Sequence, residues 1–187
     1  MLAAHDHPVT VLTKSDLVLR DIDVLAPMAA RGLASVGVSV TTLDGRLAAA
    51  DVPVTVMAAP MIPALNDAEL ERILKATAQA RAETAAYILL RLSDELKDLF
   101  TEWLEAHYPD RTRRVLNQVR ACHGGALYAS GFGTRMKGTG VFTELLAERF
   151  DVACKRLALN ASRAAEDTFD TDLFRPPQRA SDQLNLW

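Results

Sequence analysis

The sequence has few cysteines, few aromatic residues and no long apolar run. Its two cysteines, Cys122 and Cys154, are too few for a disulfide framework and too far apart for a paired-cysteine metal knuckle. No apolar stretch approaches the roughly 20 residues of a membrane span. The start of the chain lacks the basic and apolar regions of a signal peptide. These absences predict a cytoplasmic protein with reduced thiols and no membrane contact.

The composition is typical of one folded domain. The chain has 187 residues, an apolar content of 49% and a formal net charge of −3. A chain of this length can bury a sizeable hydrophobic core. The balance of apolar and charged residues excludes a disordered polymer, and the weakly acidic charge excludes a chain saturated with nucleic-acid-binding cations.

Four short runs rich in β-branched residues predict buried strands, with helices between and after them. Strands are expected at residues 8–13, 36–40, 54–59 and 85–90, and helical spacing occurs in 15–31, 66–78, 93–104, 109–119 and 141–157. Pro27 predicts a kink or a late start in the first helix, and Gly32 predicts its end. Asn66 and Ser93 are expected to cap the next two helices. The third helix is expected to bury Leu96, Leu99, Phe100, Trp103 and Leu104.

Apolar strands separated by helices predict an α/β fold with a parallel sheet that helices cover. The link at residues 43–54 does not fit this pattern, because it is too short for a helix, whereas a parallel crossover normally takes a dozen or more residues. Two interpretations stay open. The crossover is shortened and the sheet is locally irregular, or the chain returns in a looser antiparallel arrangement.

Polar side chains follow the first two predicted strands. In parallel α/β sheets and barrels, ligands bind at the carboxyl ends of the strands. Lys14 offers a cation for a carboxylate there, and Ser39, Thr41 and Thr42 offer hydroxyl groups. The third strand ends in the apolar residues Met61 and Ile62, which suit a flat base. The pattern predicts a ligand pocket without a general base, a paired nucleophile or a metal set.

Three other motifs have an ordinary structural interpretation beside a functional one. His5 and His7 can share one face of a strand, but no third metal ligand is evident. The glycine-rich loop 131–140 lacks the strand and the helix start that a Walker phosphate loop needs. A basic helix surface is either a solvated face or a surface that follows nucleic-acid phosphates; it comprises Arg111, Arg113, Arg114 and Arg120.

At the strand ends the sequence resembles radical SAM proteins of the spore photoproduct lyase-like group, often called DNA repair photolyases. The resemblance covers nearly the whole chain from residue 8 onward. The stretches that carry it are HPVTVLTKSDLVLRDID, SVGVSVTTLDGRLA, VPVTVMAAPMIPALND and FGTRMKGTG. It implies a partial parallel (β/α) barrel in which a CxxxCxxC loop holds a [4Fe–4S] cluster. S-adenosylmethionine binds the open iron of that cluster and yields a 5′-deoxyadenosyl radical.

The resemblance also implies a set of cofactor-binding residues. Lys14 and Ser39 would contact the amino acid part of S-adenosylmethionine, and Thr41 is a further candidate for the same pocket. Residues 57–62 and 87–89 would line the adenine side. No residue is assigned a catalytic or metal-binding role.

The sequence departs from the family pattern in its cysteines and in the number of its strands and helices. No CxxxCxxC occurs in the chain, so a cluster is not expected in this chain alone, and whether it is an enzyme stays open. The predicted fold is an incomplete radical SAM-type barrel over residues 1–164 that lacks the first strands and one crossover helix, followed by a polar tail, 165–187. A non-catalytic S-adenosylmethionine- or nucleic-acid-binding module and a non-functional truncated product are the alternatives. An exposed sheet edge at the first strand predicts self-association.

Overall fold

The computed structural model describes residues 1–39, 50–127, 137–161 and 169–176. Its centre is a four-stranded sheet in which every neighbouring pair is parallel. The order is β1-β2-β3-β4, with β1 at Val9–Thr13, β2 at Ala34–Ser39, β3 at Val54–Met61 and β4 at Thr84–Leu89. The predicted strands and the α/β class are therefore confirmed.

The parallel pairing of β2 with β3 decides between the two interpretations of the link that joins them. Val36 of β2 lies beside Val54 of β3, and the two strands run in the same direction. The antiparallel return is therefore wrong. Most of the link, residues 40–49, lies outside the described part of the chain. The predicted lack of a crossover helix therefore concerns residues that are not described.

Five α-helices accompany the sheet in the described residues. They are α1 at Ile22–Ala29, α2 at Leu70–Gln79, α3 at Lys97–His107, α4 at Thr112–Cys122 and α5 at Val141–Arg156. The predicted late start of α1 is confirmed, because the α-helix begins at Ile22 after a 3₁₀ segment. The predicted stop is also confirmed. Gly32 has a φ of 67°, and the next amide, Leu33 N, donates to Met28 O at 2.9 Å, which closes the helix with a glycine cap.

One face of the sheet, the core face, packs against helices. Strand side chains alternate between faces, and the residues that point toward α1, α2 and α5 belong to two hydrophobic clusters. Full burial of a side chain such as Val36 or Leu74 contributes about 1.5–3 kcal/mol. The strand residues of these two clusters are Val9, Val11, Ala34, Val36, Val38, Val54, Val56, Ala58, Met61, Ala85, Tyr87 and Leu89.

The opposite face, the open face, contributes no residue to the hydrophobic clusters of the described chain. It carries hydroxyl groups and small side chains; Thr10 Oγ1 and Ser35 Oγ lie 3.1 Å apart. Leu12 is 66% exposed on this face. The two βαβ units, β1-α1-β2 and β3-α2-β4, place their helices on the same side, as right-handed crossovers between sequential neighbours require. This singly wound arrangement is compatible with a partial barrel.

A third cluster covers the ends of β3 and β4. Leu90 and Leu92, which follow β4, pack with Leu104 of α3 and with Val115 and Val119 of α4. The cluster also contacts residues that follow β3. Helices α3 and α4 therefore lie at the carboxyl end of the sheet.

The predicted inward face of α3 is wrong in part. Leu104 is fully buried and Phe100 is half-buried, but Leu96, Leu99 and Trp103 are 46%, 61% and 38% exposed. The apolar stripe of α3 is wider than the surface that its neighbour α4 covers. Periodicity identifies an apolar stripe but does not show how much of it a neighbour will bury.

The predicted capping role of Asn66 is also wrong. Its Oδ1 accepts from Ile62 N at 2.6 Å, and its Nδ2 donates to Pro60 O at 3.0 Å. The side chain therefore closes the loop after β3 and is not available to the helix amides. Ser93 makes no side-chain capping bond either. Both helices begin with a 3₁₀ turn.

The described end of the chain returns to its beginning. Arg175 N donates to His5 O at 2.8 Å, and Asp170 N donates to Gly32 O at 3.2 Å. Asp6 forms ion pairs with Arg31 at 2.6 Å and with Arg175 at 3.6 Å. Residues 169–176 of the predicted polar tail thus pack on the amino-terminal segment.

Among the described residues, no helix is both long and apolar enough to cross a membrane.

Asn160 connects the end of α5 to β4 and gives a test of the fold. Its side chain accepts from Ala85 N at 2.9 Å and donates to Ala85 O at 3.0 Å, while its own φ is 59°. Asn160→Gly keeps this backbone conformation and removes both bonds. We expect urea unfolding to show a loss of about 1–3 kcal/mol.

Asn117→Ala is the control, because Asn117 is exposed on α4. Its change in unfolding free energy should stay within about 0.5 kcal/mol. Equal losses for the two variants would contradict a specific role for Asn160.

Candidate functional site

Two of the three predicted cofactor-binding residues lie on adjacent strand ends. Thr13 at the end of β1 pairs with Val38 of β2, so that the next residues, Lys14 and Ser39, lie at the same level. Lys14 is exposed and Ser39 is half-buried. Thr41 lies outside the described residues. The carboxyl ends of β1 and β2 thus bring a cation and a hydroxyl group side by side.

Local hydrogen bonds fix the turn that carries Lys14. Thr13 Oγ1 accepts from Ser15 N at 3.0 Å, and Ser15 Oγ accepts from Leu17 N at 3.1 Å. The second bond caps the 3₁₀ segment that leads into α1. The hydroxyl groups of the TKS segment therefore build the turn that carries Lys14 at the carboxyl end of β1.

The row that begins at Lys14 and Ser39 continues across the sheet with apolar side chains. Ser39 pairs with Met57, and Met57 pairs with Ala86. Side-chain alternation from the hydroxyl pair Thr55–Thr84 places Met57, Ala86 and Ile88 on the open face. The row thus changes from polar to apolar along its length, as a zwitterionic ligand with a flat base would require.

Part of the expected adenine side points elsewhere. Tyr87 lies on the core face with its ring centroid 5.0 Å from that of Phe150, and burial raises the pKa of its hydroxyl group. Leu89 and Met61 belong to the same core cluster. Of residues 87–89, only Ile88 shares the open face with Met57.

The two cysteines do not fit an iron–sulfur cluster. Cys122 at the end of α4 and Cys154 in α5 are both buried in the core cluster under the sheet. Burial raises the pKa of each thiol, whereas a cluster ligand must be a thiolate. Neither cysteine follows β1, and the described residues contain no group of three His, Cys, Asp or Glu side chains that could hold a metal ion.

The His5-Asp6-His7 motif has structural partners. His7 Nδ1 lies 2.7 Å from Pro8 O, and its ring contacts Phe174 edge-on at 4.9 Å. Asp6 between the histidines is paired with arginines, as described above. These contacts hold the two chain ends together, so the motif is explained without a ligand.

The described part of the glycine-rich loop is a tight turn against α4. Thr139 N donates to Cys122 O at 2.8 Å. Gly138 has a φ of 69°, and a Cβ atom there would lie 2.9 Å from the same carbonyl oxygen. Residues 131–136 of the loop lie outside the described part of the chain. Helix α5 begins after Gly140 and not at Lys137. These features indicate a structural turn rather than a Walker loop.

The basic surface of α4 lies beside exposed aromatic rings. Arg111, Arg113, Arg114 and Arg120 are all exposed. Directly before them, the ring of Trp103 stacks on His107 at 5.4 Å and lies 5.3 Å from Tyr108. The sequence shows no aromatic residue among the arginines. The aromatic residues come instead from α3 and from the turn at 108–111, which directly precede the arginines in the chain.

Sequence reasoning missed His123, which is buried at the end of α4. Its Nε2 lies 3.0 Å from Leu90 O, just past the carboxyl end of β4. Because a carbonyl oxygen only accepts, Nε2 is the donor in this hydrogen bond. Nδ1 is buried and has no hydrogen-bond partner among the described residues. No sequence signal could have identified this contact, since it joins residues 33 positions apart.

A groove of about 640 Å³ lies between α2 and α5, on the helical side of the sheet. Arg149 crosses its wall and donates to both carboxylate oxygens of Glu71 at 2.7 Å. These hydrogen bonds lower the pKa of Glu71. The groove is separated by the sheet from Lys14 and Ser39, so it is not part of the predicted cofactor site.

No family model, curated protein or solved structure matches the chain. A functional argument for this protein therefore depends on the geometry of the strand ends and on the sequence resemblance there.

The hydrogen bond of His123 can be tested by His123→Phe, which keeps an aromatic ring and removes the donor to Leu90 O. The buried carbonyl would lose its partner, so we expect a loss of about 1–3 kcal/mol in chemical unfolding. His107→Phe removes a hydrogen-bonding ring from an exposed position and should change stability by less than about 0.5 kcal/mol. Similar values for both variants would contradict the assigned role.

The Arg149–Glu71 pair predicts a pH dependence. A lowered pKa means that the folded state favours the charged carboxylate, so the stabilisation is present at neutral pH and is lost as the pH falls through the lowered pKa. Glu71→Gln should therefore be less stable than wild type at pH 7, and the difference should shrink in acid. Urea unfolding from pH 7 to 3 measures this, with Glu144→Gln as control. A difference independent of pH would contradict the assignment.

Proposed function

We propose that this chain provides the S-adenosylmethionine-binding part of a radical SAM-type (β/α) barrel of the spore photoproduct lyase-like group. The observation that most supports this is the singly wound parallel sheet, whose open face ends in a polar-to-apolar row at the strand carboxyl ends. In a barrel this face is the interior, and ligands bind at that end. The resemblance of the TKS and VSV segments supports the choice of ligand.

Each part of the row suits one part of the cofactor. The ammonium group of Lys14 would pair with the carboxylate of the methionine moiety, and the Ser39 hydroxyl would hydrogen-bond to the same moiety. Met57 and Ile88 on the open face would contact the flat adenine ring, because thioether and aliphatic groups pack well against aromatic faces. With this division, the reactive sulfonium would lie between the polar and apolar ends of the row.

The proposal assigns binding to this chain and not radical formation. S-adenosylmethionine supplies a 5′-deoxyadenosyl radical when it is bound to a reduced [4Fe–4S] cluster. The buried thiols of Cys122 and Cys154 do not fit such a cluster. The chain's own contribution is therefore to bind and orient the cofactor.

The proposal is tested by titrating S-adenosylmethionine without iron and following thermal stability and isothermal heat. We expect saturable binding at millimolar ligand or below. Lys14→Ala and Ser39→Ala should each weaken it about tenfold, equivalent to about 1.4 kcal/mol. Ser35→Ala is the control, because Ser35 lies on the same face at the amino end of β2.

Absence of any heat or thermal shift at millimolar ligand would refute the proposal. Binding that Ser35→Ala weakens as much as Ser39→Ala would place the ligand elsewhere. All three variants must first show wild-type unfolding in urea, so that a lost fold is not taken for a lost site.

A nucleic-acid-binding module is the second candidate, favoured by the exposed arginines of α4 and the adjoining rings of Trp103 and Tyr108. Cations that follow a phosphate backbone and rings that stack on bases are the two components of single-strand binding. The exposed carboxylates of Glu102 and Glu105 on α3 oppose this candidate, because they repel phosphate groups.

The second candidate predicts salt-sensitive retention of a single-stranded oligonucleotide. Arg113→Ala with Arg114→Ala should reduce both the affinity and the salt dependence, because fewer counterions are released. Arg72→Ala, an exposed arginine of α2, is the control. Retention unchanged by the double substitution would exclude this surface.

A further inference from the structure

Helix α5 exposes apolar side chains in a stripe that faces away from the sheet. Val141, Leu145 and Val152 are 81%, 52% and 61% exposed. Leu145 and Val152 line the groove between α2 and α5, together with Ala153 and Leu157. We propose that this groove is the interface of a homodimer, in which α5 of a second copy packs antiparallel on α5 about a two-fold axis at Val152.

The charges that line the groove are arranged around Val152. Glu148 lies four residues before it and Arg156 four residues after it, and all three line the groove. Residues four apart share a helix face and are separated by about 6 Å along the axis. The stripe therefore presents an anion, an apolar centre and a cation at equal intervals.

Glu148 and Arg156 have no ion-pair or hydrogen-bond partner in the described chain, unlike their neighbour Arg149. Arg149 is held by Glu71 and also lies 3.8 Å from Asp67. Arg149 and Glu71 of the groove are thus paired with each other within one molecule. The two outer charges are left for an occupant that brings opposite charges in the reverse order.

A second copy supplies that order. In a two-fold contact the same surface meets itself, so residue i faces j and j faces i. With the axis at Val152, Glu148 would meet Arg156 of the second copy, and Arg156 would meet Glu148 of the second copy. The two Val152 side chains would pack at the centre, and Lys75 of α2 is a further cation of the groove beside Arg149 and Arg156.

A charge-exchange experiment tests this pairing. Glu148→Arg and Arg156→Glu should each raise the dimer dissociation constant at least tenfold in sedimentation equilibrium at low salt, because each places like charges opposite each other. The double variant, with both substitutions, should restore dimerisation. Within one chain the two residues are about 12 Å apart along the helix, so restoration requires contact between copies. Glu144→Arg, outside the groove, is the control.

A cysteine at the axis provides a second test. Val152→Cys should form an intermolecular disulfide under mild oxidation, seen as a doubled mass that reductant reverses. Val141→Cys, exposed but far from the axis, should not. The two native cysteines are buried, so wild type is a suitable blank.

Three results would overturn the inference. The first is a wild-type monomer at all concentrations up to about 100 μM, a concentration at which even a weak dimer of micromolar affinity would be populated. The second is a dimer whose dissociation constant is unchanged by either single charge reversal. The third is a dimer lost in Leu12→Lys but kept in the α5 variants, which would locate the interface at the open face of β1.

Discussion

Packing of the core face of the sheet against α1, α2 and α5 is the interaction on which the rest of the structure depends. Parallel strands need crossovers, and right-handed crossovers between sequential neighbours place successive helices on one side. The apolar strand residues that pack on the helices are buried on that side, and the other side carries hydroxyl and small residues together with Leu12, Met57 and Ile88. The polar-to-apolar row at the strand ends lies on this second side.

The strands and helices were predictable because their signals are local. Runs such as residues 54–59 combine β-branched residues with short length, and Gly32 stops α1 through its own backbone freedom. The general pattern predicted a parallel sheet, but the short link left the direction of β3 relative to β2 open, and only the strand pairing decides it. The register of β1 with β2 fixes which strand ends lie side by side, and it is this register that makes Lys14 and Ser39 neighbours.

The features that sequence reasoning missed depend on contacts between distant residues. Asn66 has the pattern of a helix cap, but its side chain bonds to the loop before it. Leu96, Leu99 and Trp103 have helical spacing, but α4 covers only part of that stripe. His123 acquires its role from Leu90 across two helices. In each case the residue type fits several partners, and the tertiary fold selects one.

The two candidate surfaces lie on opposite sides of the sheet and make different demands on it. A ligand at Lys14 and Ser39 uses the open face, whereas a second copy at α5 uses the helical layer. Neither surface requires a residue of the other. A dimer through α5 would therefore leave the strand carboxyl ends accessible, and loading one surface need not alter the other.

The side-chain amide of Asn160 has a consequence for the direction in which the sheet can be extended. By pairing with both peptide groups of Ala85, it imitates one residue of a neighbouring strand and occupies the outer edge of β4 at its amino end. An additional strand would have to displace it there. Among the described residues, no side chain occupies the outer edge of β1 in this way. A further strand could therefore be added beside β1 more readily than beside β4.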